Sequence, residues 1–453
     1  MKKRISIICL LLFIFIGGQV FFAQKEKLIV TELKKNMEDT IGLQNLTPVE
    51  TIKKVSNLSV FSISDPTQEE INWIGELISL KELKLDGVDS SLDLSPLSKL
   101  QQLEKLDIMG RELDYAFLEK LNNLREVDIW DSGMEDLSCF RHMEQLERLS
   151  VSFLQTADFQ YLAKAKNLEE LRLSHCDERV NHESLNLSSL VILDIYNPTQ
   201  EEIEWIGGMI NLQDLTFSSI DVYLDLSPLE RLIHLQKLNL GSWPYNGKLD
   251  LSPVGTLTQL EEIELWGVDT DYSFLQYLQH LKLVRIYRAS IGDLSCFKEM
   301  KELRELTVET VDKVNFECLK GLSNLETLDI YFKSLEEGDK ERIKVLGELE
   351  NLSEIILEGY SEPEKPININ FLCELEKLEG LSITNIPLQS LEPLSGADSL
   401  VWLYLNSTNI QDIEPLKGLE KLEYLVIEGN TSKKVAEQSK LYFSHVETVE
   451  IGE

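Results

Sequence analysis

The sequence predicts an α/β solenoid, in which stacked coils each supply one short parallel strand and one 3₁₀ or α-helical turn. A leucine-spaced unit, L-x-x-L-x-L, recurs eighteen times between Leu58 and Val446, mostly at steps of 21 to 23 residues. A step of that length corresponds to one supersecondary unit that covers the apolar face of its neighbour. A second string, Asp-Leu-Ser-Pro or Asp-Leu-Ser-Cys, stands at a constant distance before several of these units.

The clearest copy reads Leu400, Leu403, Leu405, Ile410, Ile413, Pro415, Leu416 and Leu419. It resembles the leucine-rich repeat family in its bacterial, internalin-like variety of 22 residues, and the resemblance covers about residues 58 to 451. The family implies a leucine-rich repeat horseshoe or arc, with a parallel β-sheet on the concave face and short 3₁₀/α segments on the convex face. Roles in adhesion, surface sensing or assembly follow only as an analogy at the level of the fold.

Each leucine-spaced unit is expected to form one short parallel strand. Side chains alternate across a strand, so the leucines point inward and the residues between them face solvent on the concave side. The family usually has Asn or Cys three residues beyond the last leucine of the strand, but here that position holds residues such as Val88, Ile220 and Tyr360. The backbone groups of this bend must therefore be satisfied in another way.

The aspartates of the second string are predicted to be structural. A carboxylate that precedes Ser-Pro suits the start of a short turn, where it caps free N–H groups and proline has no donor to lose. The string occurs with proline at Asp93, Asp225 and Asp250, and with cysteine at Asp136 and Asp293.

A longer repeat indicates an internal duplication of about residues 58–189 in about 190–346. Residues 66–75 return as residues 198–207 with nine of ten positions identical, and each copy contains Thr followed three residues later by Glu, which is typical of a helix capping box. The helices that follow are expected to pack Trp73 and Trp205 against the core. We predict a leucine-rich repeat solenoid over residues 58–430, an N-terminal capping segment over 25–57, and a C-terminal capping segment with the last strand over 431–453.

The N-terminus and the charge indicate an extracytoplasmic protein that is secreted, periplasmic or on the cell surface. Residues 1–24 contain three cationic residues and then an apolar run from Ile5 to Ile16, which fits a signal peptide; if it is uncleaved, the stretch from Ile5 to Ala23 would be an N-terminal membrane anchor. The formal net charge of −34 disfavours nucleic acid and anionic membranes, and it favours a basic protein or peptide.

The sequence predicts neither a cofactor nor a catalytic site. The six histidines are scattered, and no phosphate-binding loop, nucleophile elbow or zinc pattern is present. Five cysteines follow the leader at wide spacings, which argues against a disulfide framework. Cys296 and Cys318 occupy the same phase in adjacent coils, so they form either a bridge or two buried thiols.

Large aromatic residues on the predicted concave face are the candidate ligand-binding site. A solvent-facing side chain of this size exceeds what packing requires, and aromatic anchors dominate many recognition surfaces. The alternative is that these rings fill lateral gaps between coils. The candidates are Trp130, Tyr196, Trp266, Tyr287, Tyr331, Trp402, Tyr404 and Tyr424.

We therefore predict a non-catalytic binding protein that recognises a protein or peptide ligand through a concave face that is both acidic and aromatic. Two alternatives use the same surface differently. A glycan-binding protein would stack sugars on the aromatic rings, and a structural protein of the cell envelope would need no ligand there.

Overall fold

The computed structural model describes residues 58–452, except 183–184, 186–187, 243–246, 334, 336–341, 361–365, 430–431 and 444–445. The predicted leader and the N-terminal capping segment lie outside the described residues. The chain forms two compact units, one ending at Ser189 and the other beginning at Leu190.

The described part of the first unit contains six strands, each paired in parallel with the next. Its α-helix, α1, spans Gln68–Ile74, and its 3₁₀ turns span Ser95–Lys99, Ala116–Lys120, Ser138–Phe140 and Phe159–Leu162. The strands are β1 Val60–Ser64, β2 Glu82–Asp86, β3 Lys105–Met109, β4 Glu126–Trp130, β5 Arg148–Asp158 and β6 Glu170–Val180.

The described part of the second unit contains twelve parallel strands in chain order. They are β7 Ile192–Tyr196, β8 Asp214–Ser218, β9 Lys237–Gly241, β10 Glu262–Trp266, β11 Leu283–Ile291, β12 Glu305–Val311, β13 Thr327–Phe332, β14 Glu354–Gly359, β15 Gly380–Thr384, β16 Trp402–Asn406, β17 Tyr424–Glu428 and β18 Thr448–Ile451. The helices are α2, Gln200–Ile206, and α3, Lys433–Tyr442. The 3₁₀ turns are Ser227–Arg231, Ser252–Thr256, Tyr272–Tyr277, Ser295–Phe297, Phe316–Leu319, Ile343–Glu348, Asn370–Glu374, Glu392–Leu394 and Glu414–Gly418.

The leucines of the repeat form the core of each unit, as the period predicted. In the second unit Leu306, Leu328 and Ile355 occupy the same register on neighbouring strands and are fully buried. Because the same strand position is apolar in coil after coil, each coil buries its leucines against the coils on both sides. The predicted parallel sheet with short turns is confirmed.

The caps predicted for the aspartates of the second string are also confirmed. The Ser95 N–H donates to Asp93 Oδ1 at 2.9 Å, and the Ser227 N–H makes the same bond to Asp225. Glutamine side chains from the duplicated helices bind the backbone of these aspartates, since the Asp225 N–H donates to Gln200 Oε1 at 2.8 Å. Both helices begin with the expected capping box, at Thr67 and Thr199.

A backbone ladder replaces the asparagine ladder at the bend after the strands. The Val88 N–H donates to the Met109 carbonyl at 2.9 Å, and the Ile220 N–H donates to the Gly241 carbonyl at 2.6 Å. The side chains of Val88 and Ile220 are buried, so the bend adds apolar contacts instead of side-chain hydrogen bonds.

The length of two strands differs from the expectation, and the state of the cysteines decides between a disulfide bridge and free thiols. Strands β5 and β6 are eleven residues long instead of short, because pairing resumes after the positive-φ residues Phe153 and His175 and continues to Asp158 and Val180. All five described cysteines are free thiols; Cys296 and Cys318 form no bridge and are only partly buried. Burial raises the pKa of Cys296 to about 12, which keeps its thiol protonated.

Candidate functional site

The candidate site lies on the side of each sheet that the leucines do not occupy, which we call the open face. It consists of the first, third and fifth residues of the strands, and all eight predicted aromatic residues stand at such positions. Trp130 and Tyr424 are each 44 % exposed, and the other six are partly exposed. Trp130 belongs to the first unit, and the remaining seven belong to the second.

Two of the predicted aromatic residues have their rings in contact. Trp266 and Tyr287 share a register on β10 and β11, and their ring centroids lie 4.3 Å apart with an interplanar angle of 35°. The indole Nε1 of Trp266 donates to Glu264 Oε1 at 2.6 Å. The pair therefore presents a continuous ring surface whose polar edge is already tied to a carboxylate.

A chain of charges runs from this aromatic pair along the open face. The Arg285 Nη1 lies 3.4 Å from Glu264 Oε2, and its Nε donates to Glu305 Oε1 at 2.6 Å. The guanidinium is only 21 % exposed, so these ion pairs are weakly screened by solvent. Arg285 links the aromatic pair to the acidic residues on β12.

A second aromatic group lies on β15 to β17. Trp402 stands beside Gly380 in the register, and a Cβ atom on that glycine would lie 2.2 Å from the indole, so the ring covers the glycine directly. The Tyr404 hydroxyl donates to Glu428 Oε2 at 2.9 Å and accepts from Asn406 Nδ2 at 3.1 Å. Tyr424 stands next to Trp402 on β17, so three rings are gathered here.

Substitution of Gly380 by alanine tests how the Trp402 ring is seated. The added methyl group occupies the position of the indole, so we expect the ring to turn into solvent and the tryptophan emission to shift to longer wavelength. A Trp402→Phe background serves as the control, because the shift should vanish there although the other five tryptophans remain. An unchanged emission spectrum in Gly380→Ala would contradict this seating.

An acidic cluster occupies the open face of β12 to β14, and Asp329 is at its centre. In the register Asp329 stands between Thr307 and Ile356, both buried. Four glutamates surround it at the first and fifth positions of the flanking strands: Glu305, Glu309, Glu354 and Glu358. Tyr331, two residues further along β13, completes this cluster.

Burial and the surrounding negative charge change the acidity of Asp329. The residue is 7 % exposed, and its Oδ1 is buried without a hydrogen-bond partner among the described residues. Desolvation first, and then repulsion from Glu354, Glu358, Glu305 and Glu309, raise the pKa of Asp329 to about 8. The carboxyl group is therefore mostly protonated at neutral pH. Burial also raises the pKa of Glu354 and of Glu358.

Comparisons with known proteins rest on structure alone. No protein-family model matches this sequence, and no relative is found among curated proteins. A leucine-rich repeat protein of Leptospira interrogans is similar with a TM-score of 0.57 at 19 % identity, over 90 % of this chain and 98 % of that one. An internalin, InlF of Listeria monocytogenes, is similar with a TM-score of 0.51 at 21 % identity, over 72 % and 87 %.

The chain has the leucine-rich repeat fold. A third leucine-rich repeat neighbour is TLR13 in complex with a single-stranded RNA, with a TM-score of 0.55 at 17 % identity. The match covers 90 % of this chain and 63 % of the TLR13 chain. At these identities the three similarities establish the fold, and they leave the ligand open.

The predicted acidic concave face did not single out Asp329, although the internal duplication of this leucine-rich repeat chain carries a signal at this position. A displacement of 157 residues aligns β5 and β6 with β12 and β13, and it keeps the core, since Leu171 corresponds to Leu328. On the open face the same displacement replaces Arg148 by Glu305 and Arg172 by Asp329. The second copy has therefore lost both cations and gained two acids at these positions.

The open face of the first unit of this leucine-rich repeat protein carries four cations beside its six acids, in contrast to the cluster around Asp329. Lys84 pairs with Asp107 at 2.9 Å, and Lys105 pairs with Glu126 at 3.1 Å. In the second unit the open positions of β12 to β18 contain no lysine or arginine and seven acids. These are Glu305, Glu309, Asp329, Glu354, Glu358, Glu428 and Glu450.

The described residues offer no arrangement for metal chemistry. Within them, no group of three or more His, Cys, Asp or Glu residues is placed to hold a metal ion. His175 stacks on Phe153 with ring centroids 4.7 Å apart. None of the helices in the described part of this leucine-rich repeat chain is long and apolar enough to span a membrane.

Proposed function

We propose that this leucine-rich repeat protein is an exported, non-catalytic binding protein. Its ligand is a protein or peptide, which it recognises through the open face of the second unit. The surface consists of seven aromatic residues and the acids between them: Tyr196, Trp266, Tyr287, Tyr331, Trp402, Tyr404 and Tyr424.

The observation that carries this proposal is the position of these rings. The inward positions of the strands are already filled by buried leucine, isoleucine, valine and phenylalanine, so the core does not need the aromatic residues of the open face. The bend beside them is closed by backbone hydrogen bonds, which leaves no gap in the ladder for a ring to fill. Rings that are partly exposed and partly held in place lose little side-chain freedom when a ligand covers them, which suits them as binding anchors.

The charge on the same face favours a basic ligand. Seven acids without a lysine or arginine on β12 to β18 create a one-sided field, in a chain whose formal net charge is −34. Such a field speeds encounter with a cationic partner and weakens at high salt. We therefore expect affinity to fall as ionic strength rises above about 0.15 M, where the screening length is about 8 Å.

The named neighbours support a binding role for the fold and restrict one earlier expectation. TLR13 carries a single-stranded RNA in its complex, so this fold alone does not exclude a nucleic-acid ligand. For the present chain the exclusion of nucleic acid rests on its charge, because phosphate contacts need lysine and arginine.

Export rests on the leader in residues 1–24, whose cationic start and apolar run fit a signal peptide or an uncleaved anchor. N-terminal sequencing of the protein recovered outside the cytoplasm distinguishes the two forms. A mature N-terminus near residue 24 indicates cleavage, and an intact Met1 in the membrane fraction indicates the anchor. Retention of the whole protein in the cytoplasm would contradict export.

The binding proposal is tested by capture with a triple variant. We expect the native protein to retain a partner from envelope and extracellular material, and we expect Trp266→Ala, Tyr287→Ala and Tyr331→Ala together to lose it. Each ring removed from a well-packed contact typically costs at least about 1 kcal/mol, so three rings reduce affinity by more than about a hundredfold.

A matched control removes aromatic residues that are exposed elsewhere. Tyr223 is 88 % exposed and Tyr277 is 61 % exposed, and both lie in turns outside the strands. The variant Tyr223→Ala with Tyr277→Ala should retain the partner. Equal capture by the native protein and the triple variant, at equal thermal stability, would show that the aromatic row is packing.

A glycan is the second candidate ligand, because Trp266 and Tyr287 offer two partly exposed rings in contact, with a carboxylate at the indole N–H. Competition separates the two candidates. Soluble oligosaccharides that displace the captured partner indicate glycan recognition, whereas a basic peptide that displaces it indicates the protein ligand proposed here.

A further inference from the structure

The acidic cluster on β12 to β14 combines a nearly fully buried carboxyl group with neighbouring acids on both flanking strands. Its central carboxyl, Asp329, is almost fully buried, and Asp329 Oδ1 accepts no hydrogen bond from the described residues. Of its flanking glutamates, Glu305 pairs with Arg285, and Glu309 accepts a hydrogen bond from the Arg288 backbone N–H. An unsatisfied buried oxygen costs free energy that a donor supplied from outside would recover.

We propose that strands β12 to β14 form a binding site for the guanidinium or primary ammonium group of a basic side chain on a partner protein, with the carboxylate of Asp329 as its central anion. This inference rests on the proposed function and names the chemistry of the ligand. The cation would lie on the Asp329 carboxylate, within the ring of Glu309, Glu354 and Glu358, and beside the Tyr331 ring.

The geometry favours an organic cation over a metal ion. A metal would require three or more carboxylate or imidazole ligands that converge on one point, and the described residues provide no such group. A guanidinium or ammonium instead offers several N–H donors spread over a plane or a cone, which suits carboxylates that surround one position without converging.

Aromatic residues border the cluster at the carboxyl ends of the strands. Tyr331 follows Asp329 by two residues on the same side of β13, and in the register it stands beside Glu358. Tyr360 reaches back across this end of the strands, where its hydroxyl donates to the Glu309 carbonyl at 3.1 Å and lies 3.3 Å from Thr310 Oγ1. A tyrosine ring next to a carboxylate stabilises a bound cation through its face as well as through the charge.

The duplicated copy shows what this strand position accommodates. Arg172 occupies in β6 the position that Asp329 occupies in β13, and its guanidinium donates to Glu170 Oε1 at 2.5 Å. The first copy thus supplies a cation of its own at this point of the open face. The second copy supplies the anion and no cation on the same strand.

Binding would be coupled to release of a proton. Burial and the surrounding glutamates raise the pKa of Asp329 to about 8, so at pH 6.5 the free site holds the neutral carboxyl. A cation favours the carboxylate, so the O–H bond breaks and the proton passes to solvent as the ion pair forms. The groups that face Asp329 are Glu305 and Glu309 on β12 and Glu354 and Glu358 on β14.

The test is calorimetric titration of the full mature chain with a hexa-arginine peptide, at 0.15 M salt, in buffers of different ionisation enthalpy. We expect release of about one proton per bound peptide at pH 6.5 and almost none at pH 9. Affinity should weaken about tenfold for each pH unit below 8, because only the ionised fraction of the site binds the cation. Asp329→Asn should abolish most of the proton release and weaken binding.

Asp128→Asn is the matched control. Asp128 is an open-face aspartate whose Oδ1 likewise has no hydrogen-bond partner in the described residues, but it is only half-buried and lies near Lys84. This variant should release the same number of protons as the native protein. Equal proton release by native protein and Asp329→Asn would overturn the site.

Spermidine and Ca²⁺, used as separate probes, test the source and kind of cation. Spermidine that matches the peptide in affinity and proton release would overturn the assignment to a protein side chain and would assign the site to free polyamines. Binding of Ca²⁺ that Asp329→Asn abolishes, without peptide binding, would overturn the organic cation.

The outcome is independent of the capture experiment. If capture depends on the aromatic row and the peptide releases no proton, the binding function stands and the Asp329 site is wrong. If the peptide binds with the expected proton release and no partner is captured, the Asp329 site stands and the aromatic row has another role.

Discussion

Gly207→Ala is expected to destabilise the protein by about 1 to 3 kcal/mol, the usual cost of overpacking a well-filled interior. Gly207 ends helix α2 with φ −58° and ψ −13°, a conformation that alanine adopts without strain. A Cβ atom there would lie 2.5 Å from the carbonyl oxygen of Pro228 in the next coil. Because this contact is with a backbone atom, which cannot rotate away, the two neighbouring coils must move apart.

Alanine is expected to have the opposite effect on stability at two other glycines, which provide the control. A Cβ atom at Gly396 or Gly418 would meet nothing within 4 Å, and neither residue has a positive φ. Alanine there should stabilise the protein by about 0.4 to 1 kcal/mol, because it restricts the unfolded chain. Urea unfolding of Gly207→Ala, Gly396→Ala and Gly418→Ala measures all three. If Gly207→Ala unfolds at the same urea concentration as the native protein or higher, the tight approach of α2 to the next coil is wrong.

The same contact occurs in the first unit, where a Cβ atom on Gly75 would lie 2.5 Å from the Pro96 carbonyl oxygen. Gly75 and Gly207 are the last residues of the string that the duplication repeats almost unchanged. Their role is thus close approach of one coil to the next. A local reading of the sequence identifies the helix that ends there, but the constraint comes from a proline 21 residues further along the chain.

Local periodicity explains why so much of the fold was predictable. The spacing of Leu403 and Leu405 determines which side chains face inward, so the positions of Trp402 and Tyr404 on the open face follow from the alternation of a strand. The caps at Asp93 and Asp225 were predictable because they join residues two positions apart. Both kinds of feature depend on near neighbours in the sequence.

Features that depend on three adjacent coils were not predictable in this way. The burial of Asp329 requires Thr307 on one side and Ile356 on the other, 22 and 27 residues away. The seating of Trp402 requires the absence of a side chain at Gly380. The extension of β5 and β6 requires two neighbouring strands to continue together past Phe153 and His175. Pairwise comparison of successive coils finds such features, whereas the repeat consensus averages them away.

Asp329→Asn is expected to make the protein more stable at pH 8 than the native chain, and equally stable near pH 4. The pKa of Asp329 is raised to about 8 in the folded state, whereas an unfolded aspartate has a pKa of about 3.9. Between these values the folded chain holds a proton that the unfolded chain has released. Stability of the native protein therefore falls as pH rises from 4 to 8, by up to about 1.4 kcal/mol per pH unit.

Asparagine removes this loss of stability with rising pH, because it has the shape of aspartate and does not ionise. The stability difference between variant and native protein should grow steadily from pH 4 to pH 8 and then become constant, as the folded carboxyl ionises too. Denaturant unfolding at each pH measures the difference, and the other glutamates of the cluster contribute to both proteins. For Asp128→Asn the stability difference from the native protein should change less steeply with pH, because Asp128 is less buried.

If Asp329 makes the native protein less stable, this residue has a role other than stabilising the fold. Asparagine at this position would stabilise the coil, yet it would remove the anion that the cation site requires, so stability and binding oppose each other here. Stability and cation binding are therefore both measured on Asp329→Asn. Gain of stability with loss of cation binding assigns Asp329 to recognition, whereas a difference that stays flat from pH 4 to pH 8 would show that the carboxyl ionises normally and that the burial argument fails.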